Sequence, residues 1–275
     1  MTTERSVDIK AQKGAFWSQP GAAEVYERGV SSESGFIQIK NQVERTLVLR
    51  HAQGEILDAG TGTGRFAIPL AKVAGNAVVA LDYSNEMLDL NRKLSSEQGI
   101  RTIRYVQGDI EHLAFPDSHF DTVVSITVVR HFPQWRAILA EYIRVLKPGG
   151  KLIFEMCSGD HIEAANRLVP RFGAKYAKDG FLSYEAEVPF EELRVLLQSC
   201  GVEVIERHTY DFFNNNCFLK IFTINNLGYR IALKAIKTLL KLRALQRLCA
   251  WLELRVLARL SPVWSYNYMV VGRKR

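Results

Sequence analysis

The chain has 275 residues, 47% of them hydrophobic and 24% charged, and a net charge of +7. That profile belongs to a globular protein with room for a large core, not to a disordered or fibrous chain. Cys157, Cys200, Cys217 and Cys249 have no CxxC spacing and no histidine cluster beside them, so free thiols in a reducing compartment are expected, with no metal site and no disulfide framework. The N-terminus Met-Thr-Thr-Glu-Arg-Ser lacks an apolar run behind it, and no stretch of about 18 uncharged apolar residues exists. The expected location is the cytoplasm, with a peripheral place on the inner face of a membrane as the alternative.

Residues 1–36 are polar and read as a leader or lid with one or two short helices. Residues 37–51 carry apolar side chains at helical spacing. Strands are expected at 55–58, 77–81, 101–106, 120–127 and 151–156, with helices at 66–73, 84–93 and 132–146 between them. Ser84 is placed to cap its helix. The strands are nearly continuous in apolar residues and alternate with helices, which predicts a parallel sheet covered on both faces. An irregular stretch follows to about 187. A helix at 189–199 is stopped by Gly201, and strands follow at 202–209 and 266–272.

The segment Leu57-Asp-Ala-Gly-Thr-Gly-Thr-Gly64 leaves a strand and enters a helix. Its glycines permit a tight turn and close approach of a ligand. A dinucleotide loop wants a glycine where Arg65 stands, so a nicotinamide oxidoreductase is disfavoured. Asp58, at the strand end, would repel a pyrophosphate but suits a ligand ammonium. Asp82 follows Gly60 by 22 residues and is positioned to accept from ribose hydroxyls. Asp109 ends the third strand, where it could accept from an adenine amino group.

These residues resemble the class I S-adenosylmethionine-dependent methyltransferases, in the group that modifies small molecules. The matching segments are Glu55 to Phe66, Ala80 to Met87, Gly108 to Asp121 and Arg144 to Gly150. The resemblance is close over about 53–157 and loose over the final helix and two strands. It implies a Rossmann-like, doubly wound α/β fold with seven strands, mostly parallel, the last antiparallel. Residues 37–275 would form that domain. It implies S-adenosyl-L-methionine as cofactor, with Asp58, Ala59, Gly60, Thr61, Gly62 and Gly64 at its methionine part. Asp82 would meet the ribose, Tyr83 and Met87 would lie beside the adenosine, and Asp109 and Ile110 would flank the adenine. Thr127 would line the mouth of the site.

Displacement at a sulfonium methyl needs alignment and shielding from water. A hydroxyl acceptor also needs a base. His131 is the candidate, since its pKa is naturally near neutrality; a structural histidine is the competing reading. Arg130 reads as an anchor for a substrate anion or as a surface arginine. Ser125-Ile-Thr-Val stands where enzymes acting on base amines carry Asn/Asp-Pro-Pro-aromatic, which argues against nucleic acid as substrate. The expectation is methylation of a small, lipophilic acceptor, at oxygen in preference to carbon or nitrogen. The alternative is a partner protein or membrane-associated module that keeps the fold without catalysis.

Charge is concentrated late in the chain. Residues 217–262 hold nine Lys/Arg and one acid, Glu253, so the remainder sums to −1. Arg230, Lys234, Lys237 and Lys241 fall at helical spacing among leucines. A basic helical insertion at about 214–262, between the last two strands, is expected. It could meet an anionic membrane surface, cover the site, form an interface, or pack on its own sheet with the basic face in water.

Overall fold

The computed structural model describes residues 3–32, 34–168, 184–212, 236, 238–259 and 265–275. Three helices precede the sheet: α1 (Thr3–Trp17), α2 (Ala22–Val30) and α3 (Gly35–His51). The α/β unit then runs β1 (Glu55–Ala59), α4 (Ala67–Ala71), β2 (Ala77–Asp82), α5 (Asn85–Glu97), β3 (Arg104–Gln107), β4 (Phe120–Ser125), a 3-10 turn at Val129–His131, α6 (Trp135–Val145) and β5 (Leu146–Ser158). After it come α7 (Gly159–Leu168), β6 (Glu187–Val188), α8 (Phe190–Ser199), β7 (Val202–Tyr210), α9 (Arg243–Arg255) and β8 (Asn267–Lys274).

The strand order is β3-β2-β1-β4-β5-β8-β7. The β1–β5 strands pair in parallel, and β8 runs antiparallel to both β5 and β7. The expected doubly wound sheet with an antiparallel last strand is therefore present. The two-residue β6, paired with Cys157 and Ser158 of β5, is an eighth strand. It falls in the stretch read as irregular, because two residues are too few to show a period. Likewise α7 follows β5 directly, where no helix was expected.

Alternation along the strands divides the core in two. Leu57, Val79, Val123, Leu152, Phe154 and Val270 face α6 and α8. Ile56, Val78, Val124, Ile153 and Val271 face α3, α4 and α9. α6 buries Trp135, Ile138, Leu139, Tyr142 and Ile143, the spacing of one helical face. Ser84 caps α5 by accepting from the Met87 backbone N–H at 3.3 Å. Gly201, with φ +74°, supplies the left-handed residue that ends α8.

Between β7 and β8 the described insertion is α9 with a 3-10 turn at Leu257–Arg259. Arg230, Lys234 and Lys237 of the expected stripe lie outside the described residues, whereas Lys241 is exposed. Leu240, Cys249 and Ala250 share the core with Ile39, Val43 and Leu47 of α3. The approach is close: a Cβ at Gly35 would stand 2.3 Å from the Leu240 carbonyl oxygen. Gly35→Ala is therefore expected to force α3 and the start of the insertion apart, at about 1–3 kcal/mol. A urea midpoint measures it, and an unchanged midpoint would mean the two do not meet there.

Candidate functional site

The sheet order reverses between β1 and β4, and ligands bind such sheets outside the carboxyl ends at that point. β1 ends at Ala59, and Gly60, Gly62 and Gly64 then all take positive φ. The Gly60 and Thr61 N–H groups both donate to the Leu81 carbonyl, at 2.8 and 2.9 Å, which ties the turn to β2. At Gly60 a Cβ would meet the Val128 side chain at 2.5 Å, so internal packing alone demands glycine. At Gly62 its nearest neighbour would be the Tyr26 ring, at 3.3 Å. Gly62 is thus a turn glycine whose open side faces the leader.

The three predicted acids are held differently. Asp58 is buried at the end of β1. It accepts from Thr61 Oγ1 at 2.7 Å and from the Ala67 backbone N–H, and burial pushes its carboxyl up to about 6. Both its partners belong to the loop and to α4. Asp82 accepts from the Gly62 N–H at 2.8 Å and the Ser84 N–H at 3.0 Å. Burial raises its pKa, against the pull of those donors. Asp109 is bound by Lys10 Nζ at 2.7 Å and the Glu111 N–H at 2.9 Å. Burial alone would raise the Asp109 carboxyl, but Lys10 and the Glu111 N–H outweigh it and hold the pKa below the ordinary value.

Met87 and Ile110 are buried beside these acids, and Tyr83 is exposed. A Cβ on Gly14 would lie 3.1 Å from the Tyr83 ring. Thr127 closes the row after β4 with φ +64°. A β-branched residue rarely holds that conformation, and such strain clusters at functional sites.

The leader lies across this edge. Lys10 holds Asp109, Tyr26 covers Gly62, Glu27 accepts from Thr63 and the Gly21 N–H donates to Glu86 at 3.2 Å. Tyr26 stands out in the sequence only as one of the leader's aromatics, and none of these residues shows its role there. Lys10 and Lys13, three apart on one helical face, were the signal available.

Beyond Thr127 a buried ionic cluster fills the carboxyl ends of β4 and β5. Arg130 Nη1 lies 2.6 Å from Glu155 and donates to Asn267 Oδ1 at 2.9 Å, and its Nη2 lies 3.2 Å from Glu185. It is therefore neither a surface arginine nor a free anion anchor; its charge is already met. Tyr210 OH lies between Glu155 and Glu44, and Glu44 also pairs with Arg65. Glu155 could have been suspected as the lone charge in the run Leu152-Ile-Phe-Glu-Met-Cys157.

His131 sits on the 3-10 turn at the edge of this cluster. Its Nδ1 is 4.0 Å from Glu185 and its Nε2 is 3.5 Å from Arg130 Nε. Burial, reinforced by the charges of Arg130 and Lys13, holds its pKa well below the usual histidine range. Lys13 of α1 reaches in and donates to the Tyr184 carbonyl at 3.1 Å. Burial lowers its pKa to about 8.

Two carboxylate-armed strand ends, a glycine turn and an apolar shelf at Met87 and Ile110 form a cradle that fits an adenosine with a charged amino-acid tail. A family model described as a methyltransferase domain matches residues 57–154. The demethylmenaquinone methyltransferase of Deinococcus radiodurans is 40% identical over 106 residues, which cover 38% of this chain and 44% of that protein. The ubiquinone/menaquinone biosynthesis C-methyltransferase UbiE of Erwinia tasmaniensis is 34% identical over 144 residues, 48% of this chain and 57% of that protein. The chain thus spans about half the length of the curated relatives it matches. Magnesium protoporphyrin IX methyltransferase from Synechocystis PCC 6803, solved with bound SAH, superposes with a TM-score of 0.56 at 14% identity, over 88% of this chain and 86% of that one. That likeness is one of fold. Sheet order, glycine turn and matched segment agree, and the chain carries a methyltransferase domain of the class I, S-adenosylmethionine-dependent type.

Proposed function

We propose that the protein methylates a small, lipophilic acceptor carrying an acidic ring hydroxyl, with His131 as the base. S-adenosylmethionine, when bound, supplies an activated sulfonium methyl. Asp82 would hold the ribose hydroxyls, with Met87 and Ile110 against the adenine and Asp109 at its amino edge. Asp58, Ala59, Gly60, Thr61, Gly62 and Gly64 would form the wall beside the amino-acid part, and Thr127 the mouth. The leader, fixed through Lys10 and Tyr26, would exclude water from the transfer.

The observation that carries the chemistry is the placement of the half-buried His131 imidazole on the turn just past β4, beside Arg130 and Glu185, whose surroundings hold its pKa low. Such a group is unprotonated at neutral pH and ready to take a proton. Removing a ring hydroxyl proton makes a nucleophile that reacts through oxygen or through the adjacent ring carbon. The relatives are named for demethylmenaquinone and for quinone C-methylation, so reduced quinones are the first acceptors to try. Transfer from methyl-labelled cofactor to reduced quinones and simple phenols, followed by product NMR, tests the reading. An O–CH₃ or C–CH₃ product identifies the acceptor atom. Binding of S-adenosylhomocysteine with no transfer to any acidic hydroxyl compound would end it, and would favour the non-catalytic alternative.

The base assignment has its own check. A base with a depressed pKa loses activity only as pH falls through that value, so the acid limb of kcat/KM should lie below about 6.5. His131→Gln should lower kcat by roughly 10²–10⁴-fold and remove that limb. A limb above neutrality, or a variant of full activity, would exclude His131 as base.

A further inference from the structure

α9 presents a face to solvent that the sheet does not use. Its buried side is Cys249, Ala250 and Glu253. Opposite lie Ala244, Leu248, Trp251 and Arg255, at i, i+4, i+7 and i+11, flanked by Arg243 and Arg247; all six are exposed. Leu248 is 51% and Trp251 53% exposed, and Leu242, just before the helix, is 60%. Just outside the helix, Leu239, Lys241, Val256 and Arg259 are exposed as well.

The charge that α9 itself exposes has one sign, and Glu206, which borders Arg255 and Arg259, is already paired with Arg50 and His51. Glu253, the only acid in residues 217–262, points inward at 1% exposure and accepts from the Asp211 N–H at 3.0 Å. Among the described residues no carboxylate forms an ion pair with Lys241, Arg243, Arg247, Arg255 or Arg259. A solvated helix face ordinarily mixes charges of both signs and exposes few large apolar side chains. Here an indole and leucines stand among unpaired arginines.

We propose that this face docks on an anionic lipid bilayer. Trp251, Leu248, Leu242 and Leu239 would enter the boundary between headgroups and acyl chains. The arginines would lie along it, their stems in the apolar layer and their guanidinium groups on lipid phosphates. Tryptophan is the residue most at home at that boundary. A second copy of the same face is the less suitable occupant, because a two-fold contact would set its unpaired cations against an identical set. The helix also starts at a useful place. Leu240 packs over Gly35, and further along α3 Asn41 and Glu44 hold Arg65, the residue after the glycine turn. The start of the insertion is thereby linked through α3 to the residue that follows the glycine turn. Among the described residues no helix is long and apolar enough to cross a membrane, so the contact is peripheral. The inference concerns binding only and stands apart from the reading of the reaction.

The test is co-sedimentation of the full chain, with no acceptor present, with vesicles of equal parts phosphatidylglycerol and phosphatidylcholine, and with pure phosphatidylcholine. Binding should require the anionic lipid and weaken in high salt. The Leu248→Glu/Trp251→Glu variant and the Arg243→Gln/Arg247→Gln/Arg255→Gln variant alter exposed side chains only and should fold. A thermal melt and S-adenosylhomocysteine binding check that they do. Each should weaken vesicle binding by at least about tenfold. No binding by the parent, or undiminished binding by both folded variants, would overturn the proposal. So would a parent dimer that the first variant makes monomeric, with no binding to vesicles, because the face would then be an interface between copies.

Discussion

Asp82→Ala should weaken S-adenosylhomocysteine binding by roughly 100-fold, the equivalent of about 3 kcal/mol for two hydrogen bonds to a charged acceptor. The carboxylate stands at the end of β2, where β2 and the glycine turn meet. One oxygen accepts from the Gly62 N–H and the other from the Ser84 N–H. Each oxygen has a second lone pair, which is what a ribose hydroxyl would use. On the proposed reading the substitution would remove two contacts to the nucleoside, along with the one that fixes the turn under it. Asp82→Asn separates the two losses. It keeps one acceptor oxygen and places a donor opposite a backbone N–H, so it should fall between wild type and Ala. Calorimetric titration measures both variants, with NAD as control. Wild-type affinity in Asp82→Ala, with the protein folded, would remove the nucleoside from this strand end. Binding of NAD in place of S-adenosylhomocysteine would return the oxidoreductase reading.

What could be read from sequence was local. Gly60, Gly62 and Gly64 announce a turn because glycine adopts their left-handed backbone conformations far more readily than other residues. Ser84 announces a cap because its hydroxyl needs only the N–H three residues on. Asp82 follows from the strand it ends. The rest was hidden because it is made by distant pairs. Lys10 and Asp109 are 99 residues apart and Lys13 and Tyr184 are 171 apart, so nothing in either local pattern points to the other. The same holds for Arg130. Beside the strand it follows, it reads as a loose cation. It becomes a structural charge only because β4 pairs with β5 and brings Glu155 alongside. The positive φ of Thr127 left no trace, since threonine is an unlikely choice for it. Arg65, which spoils a dinucleotide loop, turned out to have its own partners in Asn41 and Glu44.

Arg130→Ala should cost about 3–5 kcal/mol of stability, the range for removing one partner of a buried ion pair, which is a large part of what a domain possesses. Glu155 is fully buried on β5, with Arg130 Nη1 at 2.6 Å and the Tyr210 hydroxyl as its close partners. Burial alone would raise the Glu155 pKa. Arg130, then Lys40, the Tyr210 hydrogen bond and Arg65 reverse that and hold it below the usual carboxylate range. A depressed folded-state pKa contributes stability that is present above the unfolded value and lost as pH falls through the folded one. Removing Arg130 takes away the largest of the opposing influences, and the Glu155 pKa should rise. The variant can then relieve itself by taking up a proton in mild acid. Its deficit against wild type should accordingly be greatest near pH 8 and shrink toward pH 5. Urea unfolding at both pH values gives the comparison. Glu155→Gln in the Arg130→Ala background should recover part of the loss at pH 8, since it removes the stranded charge and keeps an acceptor for Tyr210. A deficit that is flat with pH, or a double variant no more stable than Arg130→Ala, would mean that Glu155 is not the group Arg130 neutralises. The burden would then pass to Glu185, 3.2 Å from the other end of the same guanidinium.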